Sequence, residues 1–535
     1  FAAGDVAGAR AEFDRARSIA PAQARFHANA GAARRALGQA DAAIEAYRAA
    51  LARDPDEAEA LNGLGTLLQR RGEASAAIDL YRRALAVRPD HALAAGNLAT
   101  ALLDCGRQAE AEHQADAACT LAPDDAGLAS NRLYGLHYRA ALPAPRIAAI
   151  HRDAVRRWEK PPARHGNTRD PGRRLRVGYV SADLRDHAVA RFLLPLLAHH
   201  DPATVEVTAY AADPRSDAVT ARIRSHVAHW SGIWSLDDEA AEEAIRRDGI
   251  DVLVDLGGHT AGNRLPLFAR RPAPVQVTWL GYPGTTGLPT FDARVTDAIA
   301  DPPGTESHAS EPLARLPGGF LAFDPIVDAP DPGPPPADAR GRVTFGAFGN
   351  LAKVTDATVD LWSAVLAAVP DARLRLKSRA LRDPAVAAAT AARFARRGVD
   401  AERLVLEGLV TDAIAHLDAY RGIDVALDPT PYNGATTTAE ALWMGVPVVT
   451  LAGDRHAARV GASMLSRLGL EDLVATTPAD LVACAAALAA DGARRRMLRR
   501  SLRDRLRASP LGDAARLARE MEAVYRRLWR AWCAR

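Results

Sequence analysis

Hydrophobic and small residues in the first part of the chain follow no simple amphipathic stripe; they return in a frame of 34 residues. Prolines stand at Pro21, Pro55, Pro89 and Pro123, and glycines at Gly4, Gly38, Gly72 and Gly106. Alanines recur at Ala9, Ala43, Ala77 and Ala111 and again at Ala16, Ala50, Ala84 and Ala118, with rings at Phe13, Tyr47 and Tyr81. Gly31 and Gly65 keep the same frame. The spacing predicts helix pairs that cross where side chains are small. Each pair is joined by a turn that needs Gly and closed by a Pro that a continuing helix rejects. The third unit departs from the frame: Ala115 takes the aromatic position and Ala99 the place of the crossing Gly. The first unit begins at its inter-helix turn, so further units are expected before Phe1.

Units of this kind are tetratricopeptide repeats, and residues 1–135 are assigned to an α-solenoid built from them. Stacked helix pairs leave a groove suited to extended peptides, so the array is expected to hold protein partners as well as to lend stability. From about residue 140 the pattern changes. A helical connector occupies 136–173, and apolar runs follow at 175–180, 205–211, 251–256 and 275–280 with helical periodicity between them. That alternation predicts a parallel sheet covered by helices over 174–324. Pro330, Pro332, Pro334, Pro335 and Pro336 mark a linker at 325–342. Strand runs resume at 343–348, 373–377, 404–407, 425–428 and 446–451, with helices expected at 356–369, 384–398, 411–422 and 437–445. These make a second α/β unit over 343–510, followed by a C-terminal helix over 511–535. Two Rossmann-like units in tandem are expected to face each other across a cleft at the carboxyl ends of their strands.

Composition narrows the function. The 535 residues are 48% hydrophobic and 25% charged, which is ordinary for a globular protein and argues against a disordered or fibrous one. Sixty-eight basic against 65 acidic residues leave a formal charge of +3, too little field to track a nucleic acid. Cys105, Cys119, Cys484 and Cys533 stand far apart with no C-x-x-C pair, which disfavours a disulfide scaffold or zinc ribbon and points to a reducing, cytoplasmic setting. No apolar run approaches the ~20 residues of a membrane span, and no leader pattern is present. Only Lys160, Lys353 and Lys377 are lysines. In a chain that writes positive charge as Arg, a retained Lys is expected where a compact ammonium matters.

Four loops, each predicted at a strand end, carry candidate chemistry. His187, in the run 181–187, suits a general base or a hydrogen-bond donor, and is also an ordinary helix-start residue. Paired glycines precede His259 in 257–263, where the ring either meets a ligand or holds a turn. The loop 279–287, with Gly281 and Thr285, either presents N–H groups to a sugar or phosphate or is a tight connection that needs glycine. The sharpest set joins 348–353, ending in Lys353, to 432–440. There Thr436, Thr437 and Thr438 would cap a helix whose N-terminal dipole attracts phosphate. Lys353 would add a point charge to the same anion. The single D-x-D triplet, Asp54-Pro55-Asp56, lies in a repeat turn, and no P-loop, G-x-G-x-x-G or H-E-x-x-H occurs. A nucleoside diphosphate would then be neutralised by Lys353 and a helix end, with no metal assigned.

Taken together, SADLRDH (181–187), RPAPVQVTWLGYPGTTG (271–287), FGNLAK (348–353) and DPTPYNGATTTAEALWMGVPVVTLAG (428–453) resemble the protein O-GlcNAc transferase family and its SPINDLY relatives. The resemblance spans nearly the whole chain. It implies repeats followed by a GT-B glycosyltransferase, and inverting, metal-independent transfer of N-acetylglucosamine from UDP-GlcNAc to Ser or Thr of proteins. It makes Lys353 the lysine on the diphosphate with Asn350 beside it, and Thr436 and Thr437 a phosphate-binding pair. It further makes Glu440 a ribose ligand, His416 a residue packed on the base, and His187 a residue near the transferred sugar that has been proposed as base. Animal-type members carry a histidine where Ala435 stands and a lysine near Ala413. This chain has neither, and its stretch YNGATTTAEALWMGVPVVT (432–450) is closer to SPINDLY proteins, whose plant members use GDP-fucose. A protein O-fucosyltransferase is therefore the alternative activity, and a non-catalytic repeat scaffold the alternative of another class.

Overall fold

The computed structural model describes residues 22–161, 164–326, 328–410 and 412–535. Gly4, Ala9, Phe13, Ala16, Pro21 and Thr411 lie outside the described residues. The solenoid opens with Ala24–Ala36, Ala40–Leu51, Ala58–Arg71 and Ala74–Val87, and continues with Ala92–Asp104, Gln108–Leu121 and Ala126–Gly135. Gly38, Gly72 and Gly106 close the inter-helix turns at φ of +75°, +82° and +73°, where an L side chain is strained. Small residues at the crossings are a packing requirement. A Cβ on Gly31 would come within 2.8 Å of the Tyr47 ring, and one on Gly65 within 2.7 Å of Tyr81. Both rings are fully buried.

The connector contributes the Ala144–Val155 helix, and the chain then enters a seven-stranded parallel sheet. Its strands are β1 (Leu175–Ser181), β2 (Val205–Ala211), β3 (His229–Gly232), β4 (Val252–Asp255), β5 (Val275–Thr278), β6 (Ala293–Thr296) and β7 (Leu313–Arg315). Their order is β3-β2-β1-β4-β5-β6-β7. The second sheet holds β8 (Thr344–Phe348), β9 (Arg373–Lys377), β10 (Leu404–Glu407), β11 (Val425–Leu427), β12 (Val448–Leu451) and β13 (Val474–Ala475), ordered β10-β9-β8-β11-β12-β13. Strands β3, β6, β7 and β13 were not expected from the sequence. They are short, and β6 carries Arg294 inward, buried and 2.9 Å from Asp301, so no apolar run marks it.

Both sheets are doubly wound, and the strand order reverses beside β1 in the first and beside β8 in the second. Ligands of such folds bind beyond the carboxyl ends of the strands at that reversal. The halves are tied together by Asp301 to His456 at 2.7 Å and by Arg459 donating to the Ile299 carbonyl at 2.7 Å. The last helix, Ala514–Cys533, crosses back to the first half. Its Tyr525 hydroxyl lies 3.0 Å from that of Tyr179 in β1, and Glu522 is 2.8 Å from His200. Among the described residues no helix is long and apolar enough to cross a membrane.

Candidate active site

The loops leaving β8 and β11, neighbours at the reversal point of the second sheet, line a cleft. After Phe348 the chain forms a single 3-10 turn, Leu351–Lys353, capped by Asn350, whose Oδ1 accepts the Ala352 N–H at 3.0 Å. Lys353 is partly buried. Its Nζ donates to the Asn433 carbonyl at 2.7 Å and lies 4.1 Å from the centre of the Tyr432 ring. Behind it Asp428, buried at the end of β11, accepts the Gly434 N–H at 2.7 Å and the Thr450 hydroxyl at 2.8 Å. Burial pushes Lys353 down to about 8 against the opposing pull of Asp428, and pushes Asp428 up to about 6. An ammonium with a carbonyl as its hydrogen-bond partner keeps spare N–H donors for an anion.

The helix Thr436–Trp443 begins beside this ammonium, and here one expectation is corrected. The threonines do not cap it: the N-cap is Ala435, which has no side-chain acceptor, and Thr436 and Thr437 already lie in the first turn. Thr437 and Thr438 line the cleft with Gly434. Gly434 has no room for a side chain, since a Cβ would stand 2.5 Å from the Thr438 hydroxyl and 2.6 Å from that of Thr437. The leading N–H groups of the helix have no side-chain partner, which suits them to an anion.

His416 and Glu440 are brought together, with Nε2 3.1 Å from the carboxylate. Tyr420 ties them to the cleft by donating to the Thr437 carbonyl at 3.2 Å. Lys377, at the end of β9, is 1% exposed. Its Nζ donates to the His416 carbonyl at 3.3 Å and lies 4.6 Å from the Phe348 ring centre, and burial pushes it down to about 8. Lys377 and Asp428 both line the cleft, and sequence reasoning gave neither a role. For Asp428 the signal was available: an apolar strand that ends in a charge, followed by a loop bearing Gly434.

In the first half, His187 bonds within its own loop. Its Nδ1 accepts the Val189 N–H at 3.3 Å, and Asp183 is 3.5 Å away. Burial lowers its pKa, favouring the neutral ring. The same Nδ1 faces both the Val189 N–H and the Asp183 carboxylate: paired with the first it leaves the ring proton on Nε2 as a donor, paired with the second it leaves Nε2 as a base. Among the described residues, its contacts stay within the first half and do not reach the Lys353 cluster.

Asp255, at the end of β4, mirrors Asp428: it accepts the N–H groups of Gly257 and Gly258 at 3.0 and 2.9 Å. The residues that follow, expected either to meet a ligand or to hold a tight connection, bond within the protein. His259 is fully buried; its Nε2 donates to the Thr286 carbonyl at 2.8 Å and its Nδ1 accepts from Ser130 at 3.0 Å, leaving no ring nitrogen for a ligand. Thr285 is 2% exposed and donates to Glu311 at 2.7 Å. Gly281 is a tight connection, because a Cβ there would fall 1.9 Å from the Leu256 carbonyl oxygen.

The end of the solenoid joins the two halves. Tyr282 is hydrogen-bonded to His137 at 2.9 Å and His151 at 2.6 Å, and its ring neighbours Tyr134. Tyr134 in turn neighbours Tyr432, on which Tyr138 stacks at 5.1 Å. The third repeat also reaches the lysine turn itself. Gln108 donates to the Ala352 carbonyl at 3.0 Å, and Asn350 donates to Asp104 at 3.4 Å. Nothing in the repeat frame signalled these contacts.

Comparison with known proteins agrees with this geometry. The family model described as glycosyl transferase family 41 matches residues 131–326 and 336–521, and a tetratricopeptide repeat model matches 29–85 and 62–126. A Solanum lycopersicum protein named probable UDP-N-acetylglucosamine–peptide N-acetylglucosaminyltransferase SPINDLY is 41% identical over 410 residues, 75% of this chain and 44% of that protein. The SEC protein of Arabidopsis thaliana, which carries the same enzyme name, is 30% identical over 372 residues, 68% of this chain and 38% of its own length. The chain thus spans less than half the length of these curated relatives. The solved structure of a Thermobaculum terrenum O-GlcNAc transferase mutant superposes with a TM-score of 0.91 at 39% identity, covering 96% of this chain and 98% of that one. With both α/β halves matched by the family model and a full-length structural counterpart, the chain belongs to glycosyl transferase family 41.

Proposed function

We propose that this chain transfers N-acetylglucosamine from UDP-GlcNAc to Ser or Thr hydroxyls of proteins held by its repeats, with inversion and without a divalent ion. The observation that carries the reading is the Lys353 ammonium, bonded to a carbonyl and set beside a helix end that no side chain caps. The names of the matched relatives support the donor and acceptor classes. Within the cleft, Lys353 and the first turn at Thr436 and Thr437 hold the diphosphate, with Asn350 shaping the lysine turn. Glu440 and His416 take the ribose and base end. The acceptor oxygen bonds to the anomeric carbon as the bond from that carbon to the β-phosphate oxygen breaks; the hydroxyl proton passes to solvent water and UDP departs. Charge grows on the β-phosphate, and fixed donors of this kind are worth ~3–4 kcal/mol each. Orientation in the cleft supplies the other large contribution. His187 donates from Nε2 to the donor's oxygens. The compartment proposed is the cytoplasm, in keeping with four free cysteines.

A specific observation favours one second reading. The stretch 432–450, which includes Ala435, resembles the SPINDLY pattern, so GDP-fucose is the competing donor. Thermal protection separates them, because a donor that binds the folded state raises the melting temperature by mass action. UDP-GlcNAc is expected to protect, GDP-fucose and UDP-glucose to protect less. Protection by none of the three, with no donor hydrolysis, would return the chain to a scaffold. Turnover is expected to be equal in EDTA and in Mg²⁺; loss in EDTA restored by Mg²⁺ would show that a metal carries the charge.

A further inference from the structure

The two lysines of the cleft are held alike. Lys353 gives an N–H to the Asn433 carbonyl at 2.7 Å and lies 4.1 Å from the Tyr432 ring centre. Lys377 gives one to the His416 carbonyl at 3.3 Å and lies 4.6 Å from the Phe348 ring centre. Among the described residues neither ammonium forms an ion pair with a carboxylate, because the nearby acids are engaged elsewhere. Asp428 accepts the Gly434 N–H at 2.7 Å and the Thr450 hydroxyl at 2.8 Å, Glu440 is bonded to His416, and Glu407 is paired with Arg375. The third lysine, Lys160, is exposed. A cation over an aromatic face is attracted by the ring quadrupole, more strongly as water is excluded. A ring differs from a carboxylate in that it holds an ammonium without cancelling its charge, so the full charge stays available to an incoming anion.

We infer that Tyr432 is a positioning residue for Lys353: its ring keeps the ammonium charged and, together with the Asn433 carbonyl, fixes the amine so that its remaining N–H donors serve the diphosphate. An ammonium has three N–H groups, and a carbonyl and a ring account for two of them. The ring is itself held. Tyr138 stacks on it at 5.1 Å and the Tyr134 hydroxyl lies 3.4 Å from its own, so the end of the solenoid sets where the partner of the amine stands. Facing Lys353 are Asp428 from the end of β11, Tyr432, and, across Asn350, Asp104 of the third repeat. Around the ring stand Tyr134, Tyr138 and His137. Of the charged groups, Asp428 opposes the burial that lowers Lys353, and the ring face acts in the same direction. The inference deepens the proposed function and rests on its placing of the diphosphate at Lys353.

The scarcity of lysine makes the test direct. In a full chain isotopically labelled at lysine Cε, only Lys160, Lys353 and Lys377 give NMR signals, and Lys353→Met identifies that of Lys353. The signal is followed with pH, without ligand, in the parent and in variants at one position. Tyr432→Phe keeps the ring face, Tyr432→Leu removes it, and pentafluorophenylalanine at position 432 reverses its polarity at nearly constant shape. Tyr432→Phe is expected to titrate as the parent does, and the other two about one pH unit lower. Those two should also lose UDP affinity relative to Tyr432→Phe, about fivefold at pH 8 and almost nothing at pH 6, because only the protonated amine pairs with the diphosphate. If Tyr432→Leu fails to fold, the fluorinated chain decides. Equal titration in all the chains overturns the inference. So does a fall in Tyr432→Phe as large as in the fluorinated chain, or a loss of affinity as large at pH 6 as at pH 8. A parent chain that binds no UDP would instead strike the proposed function, and the titration of the free chain is read apart from it.

Discussion

At the scale of single residues, Lys353 bears the heaviest demand. Lys353→Ala is expected to lower kcat by 10²–10³-fold, the equivalent of ~3–4 kcal/mol of transition-state stabilisation, with the melting temperature unchanged or raised. Raised stability is plausible chemistry because the substitution removes a partly buried charge. Lys353→Arg should also be impaired, since a planar fork cannot replace a point charge against the Tyr432 ring. Donor affinity should fall as pH rises through about 8, because only the protonated amine pairs with the diphosphate. Calorimetric titration with UDP between pH 7 and 9.5 checks this; a flat profile would detach Lys353 from the anion. For His187 the two chemical roles part cleanly. If Nε2 is a donor, His187→Gln keeps an N–H near that place and should hold activity within about tenfold, while His187→Ala loses at least 100-fold. Equal loss in both would restore the basic role. Lys353 was legible from the sequence because lysine is scarce. His259 stayed open between two readings, because a glycine pair before a histidine looks the same whether the ring meets a ligand or bonds Ser130 and Thr286.

At the scale of elements, the repeat frame and the long helices were readable from spacing alone, since each repeats a packing need such as Tyr47 against Gly31. The short strands were not: β7 spans three residues and β13 two, too few for a period to emerge. The start of the Thr436–Trp443 helix was placed one residue late, with a cap that does not form, because three threonines in a row are also what a capped terminus looks like. The contact between the solenoid and the lysine turn belongs to this scale. Gln108→Ala removes the one donor the third repeat sends to the Ala352 carbonyl, and kcat/KM is expected to fall three- to tenfold while the melting temperature moves by less than 2 °C. The steady-state constants and a melting curve of that variant decide it. An unchanged kcat/KM would make the contact a mere spacer.

At the scale of the whole molecule, the joint between repeats and catalytic halves sets the response to acid. His137, His151 and His259 are fully buried, and burial holds all three below the ordinary histidine value of 6.5, His151 at about 4. The unfolded chain therefore binds more protons in this window than the folded one. Their contribution is complete above pH 6.5 and lost progressively as pH falls below it. The unfolding free energy in urea should drop by several kcal/mol between pH 7 and 5, by ~1.4 kcal/mol per histidine and pH unit. His151→Gln should flatten that slope. A slope the variant leaves untouched would move the acid response elsewhere. Sequence reading singled out His259 alone, since the shared site is assembled from segments more than a hundred residues apart, as His137 and Tyr282 are.

The stacked Tyr138 and Tyr432 rings carry a consequence for how such enzymes change over evolution. Because Tyr138 leaves the last helical pair and stacks on Tyr432, whose ring also faces the Lys353 amine, the array is a graft whose final segment is already part of the recipient. Repeats can be gained or lost at the far, amino-terminal end without disturbing the chemistry. Replacement of the segment that ends in Tyr134 and Tyr138 would have to be accompanied by matching change in both halves, so new client specificities are expected to arise by lengthening the array and not by exchanging its root.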